Sequence, residues 1–337
     1  MKLYAGIDLH SSNNYIGIID EQDNKILGKR IDNHLPSVLE VIEPYRKDLK
    51  AVVVESTYNW YWLVDGLQEH GYKVCLANPS AIQQYNGLKY TDDKWDAFWL
   101  AHMMRLNILP KGYIYPKKYR PVRDLLRRRI MFVQQRTSQV LSLQSMITRN
   151  LGKKISASKI KRLTEERING MFETNLAFMD KNHLQAIKFL TLTVKEIENQ
   201  VLSKVKLKKE FSLLQTIPGI GKILALTIML EVGDINRFKK VGNYSSYCRC
   251  VKSERTSNNK KKGENNKKNG NKFLAWAYVE AANFANRFNE EARRFYQRKK
   301  AKRNGVVATK ALSNKICRAS YYIMRDHIPY DEAKLFC

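Results

Sequence analysis

Four carboxylates stand where burial should exclude them or where one helical face presents two at once. Asp8 ends the apolar run Leu3-Tyr4-Ala5-Gly6-Ile7, and Glu55 ends the run Ala51-Val52-Val53-Val54. A strand terminus of that texture favours almost anything but a carboxylate. Asp93 and Asp96, three apart at a predicted helix start, share one face. Four carboxylates converging at one sheet edge repel each other unless hard cations lie between them. Mg2+, which takes oxygen ligands, is the natural occupant. Two such ions, about 4 Å apart, stabilise the attacking and leaving oxygens of a phosphodiester displacement. Taken singly, the residues read as an N-cap aspartate, a surface glutamate and a charged helix N-terminus. Taken together they point to a metal site.

A second set of candidates lies in residues 251–272, which hold eight Lys or Arg, two Glu and six Asn. The segment is too polar to pack, so a loop or a segment ordered by a ligand is expected. Its hydroxyls are Ser253, Thr256 and Ser257; one of them, embedded in positive charge, is suited to meet a phosphate and attack it. Composition alone favours a solvated loop. Lys252, Arg255, Lys260, Lys261, Lys262, Lys267, Lys268 and Lys272 are candidate phosphate contacts. Pro218-Gly219-Ile220-Gly221-Lys222 is similar to a helix-hairpin-helix turn, in which Gly219, Gly221 and Lys222 would meet a phosphate at a helix N-terminus; the plainer reading is a tight interhelical turn. Tyr58, Trp60, Tyr61 and Trp62 are expected to pack in a core rather than stack on bases. The six histidines form no ligand spacing and receive no role, and Cys248 and Cys250 have no second pair to complete a zinc site.

The elements that must position these residues follow from periodicity. Strands are expected at 3–7, at 15–19 and, before a helix at 35–45, at a third position; then a strand at 51–54, a helix from about Thr57, a strand at 72–76, and a helix opening at 91–96. This order resembles a ribonuclease-H-like α/β arrangement. Pro110, Pro116 and Pro121 mark a linker. Beyond it, Leu126, Ile130, Val133, Val140 and Ile147 form one helical stripe, and Ile187, Leu190, Val194, Ile197 and Val201 form another. The pair predicts an antiparallel helical arm or an oligomerising coiled coil, with packing on the body of the protein as the alternative. Helices at 223–231 and 273–288 and a basic stretch at 293–303 complete the chain.

The 337 residues carry a formal charge of +28, divided as −4 over residues 1–100 and +32 over the remainder. An acidic first domain joined to a basic remainder suits a protein that brings carboxylate-bound cations to a polyanion, and nucleic acid is the obvious one. No run of about 18 uncharged apolar residues is present, so a soluble, cytoplasmic, nucleoid-associated protein without a membrane partner is expected. Five cysteines, an odd and small number, indicate reduced thiols.

G-I-D-L-H at 6–10, V-V-V-E at 52–55, N-P at 78–79 and T-D-D-K-W-D-A at 91–97 resemble the DEDD insertion-sequence transposases with a RuvC-like N-terminal domain. P-G-I-G-K at 218–222, N-G-N-K-F-L at 269–274 and V-E-A-A at 279–282 are similar to that family's C-terminal transposase domain. The resemblance implies Mg2+ on Asp8, Glu55, Asp93 and Asp96, and a C-terminal serine as nucleophile. Ser257 aligns best by its spacing to Asn269-Gly270-Asn271, although the family's S-G-G-like patch here reads Arg255-Thr256-Ser257-Asn258-Asn259-Lys260, without the glycines. It also implies an element-encoded guide RNA pairing with target and donor DNA, and a tetramer exchanging strands through a phosphoserine intermediate. The helical stripes by themselves allow a dimer. The expected parts are a RuvC-like domain (1–121), a coiled-coil arm (122–206), a mainly helical transposase domain with the serine loop (207–310), and a C-terminal helix and tail (311–337). Two other readings remain open at this point: a hydrolytic RuvC-like endonuclease using water, and an architectural nucleic-acid-binding protein with a decayed site.

Overall fold

The computed structural model describes residues 1–82, 92–204, 209–264 and 269–336. Thr91, Lys267 and Lys268, named above, lie outside the described residues. The chain forms two compact units, one of them Met1–Lys117 and the other running from Lys118 to Gly263 and resuming at Gly270. A mixed α/β region is followed by a mostly helical one. No helix among the described residues is long and apolar enough to cross a membrane.

The first unit is built on five strands, β1 (Leu3–Leu9), β2 (Asn13–Ile19), β3 (Lys25–Asp32), β4 (Leu49–Glu55) and β5 (Val74–Ala77), with helices α1 (Leu35–Ile42), α2 (Tyr61–Glu69) and α3 (Asp93–Arg105). The order is β3-β2-β1-β4-β5. β1, β2 and β3 are an antiparallel meander, and β4 and β5 run parallel to β1. Alternation along β1 and β4 divides the sheet into two faces. Ala5, Ile7, Leu9, Val52 and Val54 join a core with Val38 and Ile42 of α1 and Leu63 and Leu67 of α2. Val53 belongs to a separate cluster with Leu100 and Met103 of α3. Gly6 permits that packing: a Cβ there would lie 2.0 Å from the Ala97 carbonyl oxygen and 2.9 Å from the Ala101 nitrogen. The sheet thus carries α3 in direct backbone contact, which fixes the height of the helix's first turn above β1. The edge strand β3 is largely exposed and carries Lys25, Lys29 and Arg30, a pattern that discourages edge-to-edge pairing.

Two boundaries differ from the sequence-based expectation. α2 begins at Tyr61 rather than near Thr57. Trp60 is buried while Tyr61 and Trp62 pack against the same core, but Tyr58 is 83% exposed and packs in none. Pro121 does not belong to a linker; it occupies the first turn of a helix starting at Arg120, where its missing N–H costs no hydrogen bond.

The second unit opens with α4 (Arg120–Leu151), the short helices α5 (Ala157–Ile160) and α6 (Glu165–Asn169), and α7 (Thr174–Lys204). α4 and α7 form an antiparallel pair within the chain. Arg129 donates to Glu198 at 2.6 Å, Arg136 to the Thr191 hydroxyl at 3.4 Å, and His183 Nδ1 lies 2.7 Å from Gln139 Oε1. Their far end is closed by Ile160, Leu163, Ile168 and Phe172, which pack on Val140, Leu143 and Ile147.

The rest of the unit comprises α8 (Lys209–Leu214), α9 (Lys222–Val232), α10 (Val241–Tyr247), the strands β6 (Arg255–Ser257) and β7 (Lys260–Gly263), α11 (Lys272–Phe288), α12 (Glu290–Lys302), α13 (Gly305–Asp326) and α14 (Glu332–Phe336). α9 is buried along most of its length, and with α11 and α13 it centres the largest core. Cys248, Cys250 and Cys317 are buried in that core as thiols. Residues 255–263 form a two-stranded hairpin rather than an irregular loop. Asn258 and Asn259 both adopt positive φ (49° and 56°), the conformation a two-residue hairpin turn requires, so backbone pairing orders a segment too polar to pack.

Candidate metal centre

Strand parity places three of the site's groups. Gly6 faces α3, so Asp8, two residues on, faces the same way at the end of β1, and His10 continues that parity just beyond the strand. On β4, Val53 packs with α3, so Glu55 also points to that side. The α3 helix supplies the rest from its first turn. Asp92 is the N-cap, its carboxylate accepting from the Trp95 N–H at 2.7 Å, which leaves Asp93 and Asp96 to face the strand ends. Asp92 is thereby occupied with its own helix.

The result is a dense acidic cluster. His10 Nε2 lies 3.0 Å from Asp8 Oδ2 and 3.1 Å from Asp93 Oδ1, and Arg30 donates to Asp93 Oδ2 at 2.6 Å. Asp8, His10 and Asp93 each offer one ligand atom within 4.8 Å of the others. The Asp8 side chain is only 4% exposed, and its Oδ2 has no hydrogen-bond donor in correct geometry, His10 notwithstanding. Burial pushes the Glu55 carboxyl up to about 8, assisted by its position within hydrogen-bonding reach of Asp8 and by the charges of Asp8 and Asp96. Asp93 moves the other way: burial raises it, but the Arg30 hydrogen bond, the neighbouring His10 and the charge of Arg30 outweigh that and hold it below the usual carboxylate range. A buried carboxylate oxygen lacking a donor, beside a carboxyl that resists ionisation, is what a cation-binding donor set shows without its cation. The donors are oxygens plus one imidazole, which fits a hard divalent ion.

Two of these groups were invisible to sequence reasoning. His10 shares no ligand spacing with another histidine; its signal is the two-residue spacing from Asp8 at the end of β1. Arg30 comes from the edge strand β3, opposite Tyr15 in the register, and nothing in its local sequence ties it to Asp93.

The second unit carries the other candidates. Ser257 is exposed at the end of β6 and pairs with Lys260 across the turn. Lys252, Arg255, Lys260, Lys261, Lys262 and Lys272 are all exposed. Lys252 is paired with Glu254 at 2.7 Å. In the P-G-I-G-K turn, Gly219 has a φ of +89°, and a Cβ there would lie 2.2 Å from the Ala281 carbonyl oxygen, so this glycine serves the packing of the turn against α11. Gly221, the N-cap of α9, meets nothing within 4 Å, and Lys222 beside it is exposed.

Two family models match the chain. A DEDD transposase model of the IS110 type, described as Transposase, covers residues 5–150, and a model described as Transposase IS116/IS110/IS902 family covers residues 211–297. No curated protein matches it.

Proposed function

The chain belongs to the IS110-family DEDD transposases, and on that premise we propose that this DNA transposase is an RNA-guided recombinase working through a phosphoserine intermediate. The observation that carries the reading is the convergence of Asp8, Glu55, Asp93 and Asp96 around a buried carboxylate oxygen without a donor. The sheet order β3-β2-β1-β4-β5 supports a ribonuclease-H-like, RuvC-type domain. We retain the four-part functional division at residues 121, 206 and 310, with α4 and α7 as the coiled-coil arm and the Gly219–Lys222 turn as a helix-hairpin-helix phosphate contact.

In this reading the four carboxylates would hold Mg2+, with His10 as an additional ligand, and the bound metal would supply positive charge to stabilise the phosphodiester displacement. The chain's own residues do the rest. Arg30 holds Asp93 in place and keeps it ionised. The Ser257 hydroxyl loses its proton and attacks the phosphodiester; the Oγ–phosphorus bond forms as the bond from phosphorus to the leaving deoxyribose oxygen breaks, and that oxygen takes up a proton. A hydroxyl of the exchanged strand then gives up its proton and attacks the phosphoserine; its oxygen–phosphorus bond forms as the Oγ–phosphorus bond breaks and Ser257 Oγ takes a proton back, so one phosphodiester is rebuilt for each one broken and no ATP is needed. The exposed lysines of the hairpin grip the phosphate backbone. Ser257 acts in a composite site with the RuvC-like domain of another protomer, in a dimer or tetramer, and a structured guide RNA selects target and donor DNA in the nucleoid.

Trapping on labelled DNA with Mg2+ tests this directly. The wild type should form a covalent protein–DNA adduct that Ser257→Ala abolishes and Asp8→Asn cannot form. Nicks without attached protein would instead establish water as the nucleophile, and an adduct surviving in Ser257→Ala would exclude that serine. Sequencing of RNA co-purified from the native host tests the guide: one defined structured species supports it, random fragments contradict it.

A further inference from the structure

We propose that the cavity between α4 and α11 binds an unpaired nucleotide of a single-stranded nucleic acid. The cavity measures about 580 Å3 and is lined by Arg127, Arg128 and Asp124 from α4 and by Lys272, Phe273 and Trp276 from α11. That volume falls within the roughly 300–1,000 Å3 of small-ligand sites.

Its walls are held from inside the protein. Glu231 of α9, 3% exposed, accepts from Nε and Nη2 of Arg127 at 2.6 and 2.8 Å. The same carboxylate accepts from the Asn271 side-chain amide at 2.7 Å. Asn271 in turn caps α11, its Oδ1 accepting from the N–H groups of Phe273 and Leu274 at 2.8 and 3.1 Å. One buried carboxylate therefore fixes a guanidinium on one wall and the first turn of the facing helix on the other. This gives the N-G-N-K-F-L stretch a physical role. A bidentate, buried partner also pre-organises Arg127, so little side-chain freedom remains to be lost on binding.

The chemistry of the lining selects the occupant. Arg127 and Lys272 lie 4.6 and 5.2 Å from the centre of the Phe273 ring. Glu231 offsets the charge of Arg127, so the attraction for an anion falls to Arg128 and Lys272. Both are exposed, and neither has a carboxylate partner among the described residues. Asp124, 3.8 Å from Arg127, is the one acidic group on the lining. Two uncompensated cations beside the half-buried indole of Trp276 match a phosphate joined to a planar base. A duplex keeps its bases stacked on one another and offers Trp276 no face, so the occupant is unpaired. The inference rests on the recombinase reading only in taking nucleic acid as the polyanion.

Fluorescence anisotropy with the full chain tests it, using labelled oligothymidylate, oligouridylate and a duplex at one salt concentration. Trp276→Ala should weaken single-strand binding roughly five- to hundredfold, the loss of one stacked base, while duplex affinity changes less than about twofold. Trp276→Phe should restore most of the loss. Arg128→Gln, a surface change with no packing cost, should weaken single-strand binding and lower the salt slope by about one. Dependence on Trp276 for the DNA strand, the RNA strand or both supports the pocket and names its source. Unchanged single-strand affinity in Trp276→Ala and Arg128→Gln, or equal losses for single strand and duplex, overturns it. Intact Trp276-dependent binding without any adduct would sink the recombinase reading and leave this one standing.

Discussion

The acidic end of the sheet and the serine hairpin are positioned in opposite ways. Asp8 and Glu55 inherit their orientation from strands whose other side chains form the core, and Gly6 sets α3 directly on β1 so that Asp93 and Asp96 meet them. Ser257 sits on a hairpin with every residue from Arg255 to Lys262 exposed, shaped by its own turn at Asn258-Asn259. A site that must bear carboxylate repulsion requires a rigid frame, because relaxation would relieve the repulsion and lose the site. A hairpin that closes on a polyanion needs only its own backbone pairing until the ligand arrives.

Substitutions can break that contrast. The largest effect is expected at Asp8. Asp8→Asn should lower strand-cleavage activity roughly 10³-fold, while the metal-free protein melts no lower than wild type, because a carboxylate repulsion with Glu55 has been removed. A wild-type rate in Asp8→Asn would remove the acidic cluster from the chemistry. Gly6→Ala should cost about 3 kcal/mol through overpacking against the α3 backbone, seen as a lower denaturant midpoint, and should reduce activity with it. Retained stability would mean that α3 does not rest on β1 as described.

Asp180 on α7 sharpens the comparison, since it is a buried carboxylate outside any proposed site. It is 0% exposed and neither oxygen has a hydrogen-bond partner. Burial raises its pKa, with the charge of His183 opposing in part. The folded state therefore prefers the protonated form. The cost is present in full above the folded pKa and fades as the pH falls through it toward the unfolded value. Asp180→Leu should stabilise the protein by about 2 kcal/mol near neutral pH, with the gain shrinking in acid and activity unchanged. A destabilised variant, or a gain independent of pH, would show that the carboxyl has a partner. The smallest effect belongs to the hairpin: Asn259→Gly satisfies the same positive φ, so stability should move by less than about 0.5 kcal/mol. A larger change in melting would mean that the hairpin is anchored by more than its turn.

Much of the sheet was legible because its central strands are short continuous apolar runs, buried on both faces, and Asp8 and Glu55 stood out by ending such strands. The long helices α4 and α7 were legible from their stripes; they pair antiparallel within the chain, and Leu126 and Val201 also pack into the large core of the second unit. What escaped notice depends on pairs distant in sequence. Arg30 reaches Asp93 across 63 positions, and Arg127 reaches Glu231 across 104. No local window holds both members of either pair. The hairpin escaped for a different reason. Its strands lack the alternating apolar pattern that usually reveals one, and its turn is Asn-Asn rather than the more telling Asn-Gly. Pro121 misled because proline breaks a helix interior yet suits the first turn.

The account turns on one divalent-ion pocket at the end of β1. Anomalous diffraction from crystals soaked in Mn2+ tests it without reference to catalysis. Density within about 2.5 Å of Asp8 Oδ2, shared with Asp93 and absent from Asp8→Asn crystals, is the expected result. Fully occupied manganese elsewhere, with none beside Asp8 in the wild type, would contradict it.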